Sequence, residues 1–209
     1  MFSFTKIVHV LALGLWFGAG MFFTFVVGLS LFDTFEKESL RPAGERPFWL
    51  PLPSQLEKSP PSSRFPDPLR KEQGSRIAGA AVGPMFLPYY ATQVAGGALA
   101  LLTALTWYGR GGVHRWRVLV LVLALAGAGA GWWLEREVEG LRVKRSTASD
   151  MVLTGDAPST SADEARAAFG TWHTYSLFAN FGTLALVMAA MAMASFLPAA
   201  QASPGNKTD

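Results

Sequence analysis

Four long apolar blocks constrain this chain more than any other feature. They run from Phe4 to Phe32 (FTKIVHVLALGLWFGAGMFFTFVVGLSLF), Pro84 to Tyr108 (PMFLPYYATQVAGGALALLTALTWY), Val118 to Leu134 (VLVLVLALAGAGAGWWL) and Phe169 to Leu197 (FGTWHTYSLFANFGTLALVMAAMAMASFL). Each is near the ~20 residues with which a helix crosses a bilayer. Of the 209 residues, 50% are hydrophobic and only 16% are charged, and the apolar ones are gathered into these blocks. A soluble bundle would need polar outer faces that the third and fourth blocks largely lack. Hydrocarbon offers backbone N–H and C=O groups no partner outside the segment itself, so each block is predicted to be helical. The fold class predicted is all-α integral membrane, an antiparallel four-helix transmembrane bundle with a long Pro-rich first loop.

The segments follow from these blocks: a first span over 1–32, a mobile loop over 33–75, a second span with its lead-in over 76–108, a third span with a charged extension over 117–145, a fourth span over 162–197 and a disordered tail over 198–209. The first block is longer than the ~7–15 residues of a signal-peptide core, so it is expected to stay in the mature chain. The loop contains RPFWLPLPSQLEKSPPSSRFPDPLRKE; proline at this density opposes a regular helix and mixed charge opposes collapse. Its PFWLPLP stretch has the aromatic residues that favour a lipid interface. WWLEREVEGLRVKR continues the third helix beyond a tryptophan anchor, and Ser161 with Glu164 fits a capping box opening the fourth.

Charge placement predicts orientation. With four spans, the side holding both termini and the second loop carries Lys6, Arg110, Arg115, Arg117 and Lys207, five basic residues. The first loop (Lys37, Arg41, Arg46, Lys58, Arg64, Arg70, Lys71, Arg76) and the third (Arg136, Arg142, Lys144, Arg145, Arg166) carry thirteen. The positive-inside rule then puts these loops in the cytoplasm and both termini outside, with the cell membrane as the expected location. The net charge of +3 resides in loop residues and points to no nucleic-acid partner. The expected partners are the lipid bilayer and another membrane protein or a second copy of the chain. The absence of cysteine excludes disulfides, thiolate metal sites and cysteine nucleophiles.

Small residues mark expected helix packing. Gly14 and Gly18 form G-x-x-x-G in the first span, and Gly127 and Gly131 repeat it in the third, inside AGAGAGAG. Such residues let backbones approach where no hydrophobic force drives helices together. An intramolecular bundle and a dimer through the third span both satisfy them.

KIVHVLALGLWFGAGMFFTFVVGLSLF, MFLPYY at the start of the second span, WWLEREVEGLRVKR and FGTWHTYSLFAN occur in that order. As an ordered set they resemble the transmembrane-protein-205-like family, over roughly three quarters of the chain by length. The long Pro-rich first loop departs from that pattern. The resemblance implies four spans and a membrane location. It implies no reaction, and it carries an association of the family's animal members with drug resistance and transport.

The most informative polar residues are His173, Ser176 and Asn180, which share one face of the fourth span at intervals of three and four. Such a face is costly in hydrocarbon unless it meets protein or water. Antiparallel spans would bring Tyr89, Gln93 and Glu135 to similar depth, so these six residues are predicted to line a small polar pocket opening to the cytoplasm. A histidine there would suit proton-linked or cation-linked binding. His9 is expected roughly 20 Å from His173 along the membrane normal, which argues against a shared haem or metal between them. His114 lies in a short basic turn, poor surroundings for a cation. There is no G-x-S-x-G, H-E-x-x-H, P-loop or dinucleotide fingerprint, so no enzyme activity, cofactor or metal is predicted. Three function classes stay open: a transport or permeability factor using the His173 pocket, a structural or assembly subunit of a larger membrane complex, and an integral membrane enzyme with a histidine base. The orientation is directly testable: a periplasm- or exterior-active reporter fused after Asp209 is expected to be active, and a cytoplasm-active one silent.

Overall fold

A computed structural model describes residues 2–41 and 67–197. Among these residues every regular element is helical. Helix α1 (Phe2–Met21) runs through a π-helical stretch (Phe22–Gly28) into α2 (Leu29–Leu40). Helix α3 (Asp67–Val82) runs through a 3-10 turn (Gly83–Met85) into α4 (Phe86–Leu105), and α5 (Gly112–Thr154) and α6 (Ser159–Ala194) follow. Four stretches, Phe4–Leu40, Lys71–Leu105, Gly112–Val152 and Ser159–Ala194, are long and apolar enough to cross a membrane. In make-up the chain is a helical, multi-pass membrane protein. The 43 residues of α5 extend ~65 Å, about twice the thickness of the hydrocarbon core. Its acidic residues all lie from Glu135 onward, while Arg115 and Arg117 stand in its first two turns.

The chain divides into two compact units, Met1–Gly20 with Tyr89–Asp209, and Met21–Pro88. In the first, α1, α4, α5 and α6 share a core of Ala12, Leu13, Trp16, Ala100, Ala104, Leu121, Ala124, Val187 and Ala190. As residue numbers rise along α1, those of its α4 partners fall: His9 bonds Thr103, Trp16 lies on Gly96 and Gly97, and Gly20 sits beside Gln93. The outward faces carry Leu11, Leu15, Leu102, Trp116, Phe178 and Met188, all exposed, the apolar exterior that a lipid solvent favours.

Glycines make the close approaches, though not all of those expected. A methyl group on Gly127 would stand 2.5 Å from Thr183 Oγ1, and one on Gly131 would stand 3.1 Å from the Tyr90 ring, so this pair packs within the unit. Gly14 and Gly18 have nothing within 4 Å. The buried face of α1 is set by His9, Ala12, Leu13, Trp16 and Gly20, and residues two away from Trp16 point to the far side of a 3.6-residue turn. Their packing role falls instead to Gly20, Gly96 and Gly97.

In the second unit, helix extends into what reads as loop at both ends of 33–75. Lys37 pairs with Asp33 at 2.7 Å one turn away, and Lys71 reaches Glu36 at 2.7 Å between α2 and α3. A methyl group on Gly74 would come within 2.5 Å of the Phe35 carbonyl oxygen, so bare backbone lets these two helices touch. Phe23 meets Phe86 edge-on at 5.2 Å. Residues 42–66, with the PFWLPLP stretch, and the tail 198–209 lie outside the described residues.

The long third-loop helix also exceeds its predicted bounds. Helix α5 ends at Gly155, whose φ of 82° is the left-handed conformation glycine adopts freely. Pro158 then serves as N-cap of α6 without a side-chain cap, and Ser161 donates to the Pro158 carbonyl at 2.8 Å in place of a capping box. Proline's fixed φ starts the helix earlier than the S-x-x-E pattern does. Gly97 gives the clearest packing test, since its methyl would stand 2.7 Å from Trp16 Cη2 and 2.9 Å from Leu125 Cδ1. Gly97→Leu is expected to lower stability in detergent by about 1–3 kcal/mol through overpacking, and Gly14→Leu to leave the thermal midpoint within error.

Candidate functional site

A polar recess lies between α4, α5 and α6. Tyr89 and Gln93 stand one turn apart on α4, on the face that continues through Gly96, Gly97 and Ala100 into the core. Asn180 and Thr183 stand at i and i+3 on α6. Opposite them α5 presents Gly127, Ala128 and Gly131, and the missing side-chain bulk leaves the opening. The free space is that of about one water molecule.

The Tyr89 hydroxyl donates to Asn180 Oδ1 at 2.7 Å, joining α4 to α6. Thr183 turns its hydroxyl back to the Ala179 carbonyl at 2.9 Å, so it lines the recess without offering a free donor. Gln93 is 2% exposed, and its Nε2 has no acceptor. An amide N–H₂ left bare in a recess is a donor waiting for water or solute.

Tyr90, buried beside Tyr89, closes one wall. Its ring stacks on Trp132 with planes 3° apart, it meets Tyr89 edge-on at 5.0 Å, and its hydroxyl hydrogen-bonds Ser176. Glu135 is half-buried and lies within electrostatic reach of Tyr90. Of the six pocket residues expected from sequence, Tyr89, Gln93 and Asn180 line the recess, while Ser176 and Glu135 stand behind Tyr90. His173 is apart. It is exposed, stacked on Phe169 at 5.5 Å, and the Arg145 guanidinium stands 4.5 Å from that same ring. Ser176, one turn later, is buried.

Sequence reasoning missed Tyr90 and Thr183. Thr183 continues the three-residue step from Asn180 and was findable; Tyr90 was masked by its neighbour. It also missed Arg117, which is fully buried with His9 at the other end of the unit. Among the described residues no group of three or more His, Asp or Glu side chains could hold a metal ion. No protein-family model matches the chain, and no curated protein and no solved structure matches it.

The Tyr89–Asn180 bond can be weighed by a double-mutant cycle in detergent. Tyr89→Phe and Asn180→Leu should each destabilise, with a coupling of about 0.5–1.5 kcal/mol, the range of buried hydrogen bonds between membrane helices. Additive effects would mean that the bond does not join the helices.

Proposed function

We propose that this protein is a small membrane transport or permeability factor for water-sized uncharged molecules, built as an antiparallel four-span bundle with both termini outside the cytoplasm. The observation that carries this reading is Gln93: buried, with no acceptor for its Nε2, and lining a recess already polar through Tyr89 and Asn180. A solute leaving water loses hydrogen bonds, and groups of this kind replace them at the place where hydrocarbon cannot. The recess takes one water-sized molecule at a time. The resemblance to the transmembrane-protein-205-like family supports membrane residence and agrees with a transport role. His173 has no part in the recess, so the reading rests on the amides and the phenol.

A second reading, an assembly subunit, is favoured by one observation. Gly14 and Gly18 leave a strip of bare backbone on the outer face of α1, where a helix of another chain could pack closely.

Proteoliposomes separate the two. By stopped-flow light scattering of osmotically shocked vesicles, the wild type is expected to raise water permeability several-fold over empty vesicles and to leave glycerol permeability unchanged. Gln93→Leu should return water permeability to the empty-vesicle rate while the protein stays folded. Equal water rates with and without the protein would overturn the transport reading.

A further inference from the structure

We propose that Arg117, with His9 and His114, forms a buried binding site for one phosphate-type oxyanion, carried by a lipid headgroup or free. The site is separate from the polar recess and does not rest on the transport reading.

Arg117 is fully buried on α5, and its Nε, Nη1 and Nη2 all lack an acceptor. A guanidinium does not shed its proton in proteins, so the charge stays. Its visible compensation is the Trp107 ring, whose centroid lies 5.4 Å from Cζ. A cation–π contact offsets only part of the desolvation of a charge. The chain places no carboxylate nearby in sequence: there is no Asp or Glu before Asp33, between Glu72 and Glu135, or between Glu164 and Asp209. Helices α1 and α4, the first 23 residues of α5 and nearly all of α6 are thus free of acidic residues. Among the described residues no ion pair includes Arg117.

Two imidazoles stand with the guanidinium. His9 is fully buried, 5.7 Å from the same Trp107 ring. Its Nδ1 lies 2.8 Å from Thr103 Oγ1 and 3.0 Å from the Ala100 carbonyl oxygen. The Thr103 hydroxyl donates to the carbonyls of Leu99 and Ala100, so it accepts from His9. Nδ1 therefore carries the proton, and Nε2, buried and without a partner, is the atom left to meet a ligand. His114 stands three residues before Arg117 on the same face of α5; it is 5% exposed, with Nδ1 unpartnered. Both imidazoles lie within electrostatic reach of the Arg117 guanidinium.

A fixed guanidinium charge with no acid paired to it makes poor surroundings for a metal and good ones for an anion. A guanidinium fork matches an oxyanion through two parallel N–H···O bonds, which a halide cannot use. The third guanidinium nitrogen and an N–H at His114 Nδ1 offer donors for further oxygens of a tetrahedral phosphate, and the His9 Nε2 lone pair accepts from a protonated phosphate oxygen. Depth agrees with a headgroup source: the apolar run of α5 begins at Val118, so Arg117 stands at the edge of the span, near the level of lipid phosphates.

The full-length protein, purified in mild detergent, supplies the test through phosphorus analysis and native mass spectrometry. The wild type is expected to retain roughly one phosphorus per chain, and Arg117→Gln at least about fivefold less, from the loss of a bidentate contact. Phosphorus extracted into organic solvent with a phospholipid-sized adduct identifies a headgroup; molybdate-reactive phosphorus without digestion identifies the free ion. After delipidation, inorganic phosphate or short-chain phosphatidylglycerol should raise the thermal midpoint of the wild type, with sodium chloride at equal ionic strength as control. Neither should raise that of Arg117→Gln. Should that variant fail to fold, His114→Ala is expected to fold and to lose part of both signals. Equal phosphorus and equal thermal response in the wild type and the variant that folds would overturn the site, as would a wild type that retains no phosphorus and responds to neither probe.

Discussion

The seat of Trp16 on Gly96 and Gly97 fixes the geometry on which the rest of the first unit depends. The indole is fully buried, and a methyl group on Gly97 would collide with its edge. In lipid no hydrophobic force pulls helices together, so close van der Waals contact must hold them. A large rigid ring over two bare backbone positions provides that contact. It also fixes the register of α1 on α4: His9 falls on Thr103 two turns to one side, and Gly20 falls beside Gln93 one turn to the other. Slip by one residue would turn His9 out of the core, because successive positions rotate by ~100°.

The same logic orders α5 and α6, with a polar consequence. Gly127 and Gly131 bring the backbone of α5 up to Thr183 and Tyr90, and that closeness both builds the recess and limits it to a water-sized space. Polar groups at this end are largely reconciled with one another. Tyr89 gives to Asn180, Thr183 to its own helix, and Tyr90 pairs with Ser176, leaving the Gln93 amide as the bare donor. At the other end the imbalance is one of charge, since Arg117 has an indole beside it and no acid. An unpartnered neutral donor tolerates a passing water, whereas an unpartnered cation requires an anion.

Residue patterns carried the spans well and the details unevenly. Apolar length is a strong signal, so four membrane-length helices were legible. Helix ends were not, because propensity and proline content say little about charged flanks such as Leu29–Leu40 and Asp67–Val82, where ion pairs and a glycine contact between the two helices supply the stability. Asn180 was singled out by helical spacing and Tyr89 and Gln93 by depth, and all three line the recess. Ser176 and Asn180 follow His173 at that spacing, but His173 itself is exposed and stacks on Phe169, and periodicity does not say which turn a partner helix covers. Gly14 and Gly18 match a packing motif on the side of α1 that Trp16 turns outward. Motif and burial are set by different residues there, and the largest side chain decides.

Arg117 shows why a buried cation escapes such reading. A basic residue just ahead of an apolar run looks like a loop charge, and it was counted as one when the termini were assigned to the exterior. Fully buried against Trp107, it belongs to the protein interior. With it the terminal side carries five basic residues, against thirteen on the loop side. Several of those thirteen are paired, Lys37 with Asp33, Arg76 with Glu72 and Arg166 with Asp163. The pairing does not weaken the bias, since topology follows Lys and Arg counts and not net charge. Burial in the finished fold leaves Arg117 in that count, so one residue serves both as a charge at the end of a span and as an unpaired cation in the interior.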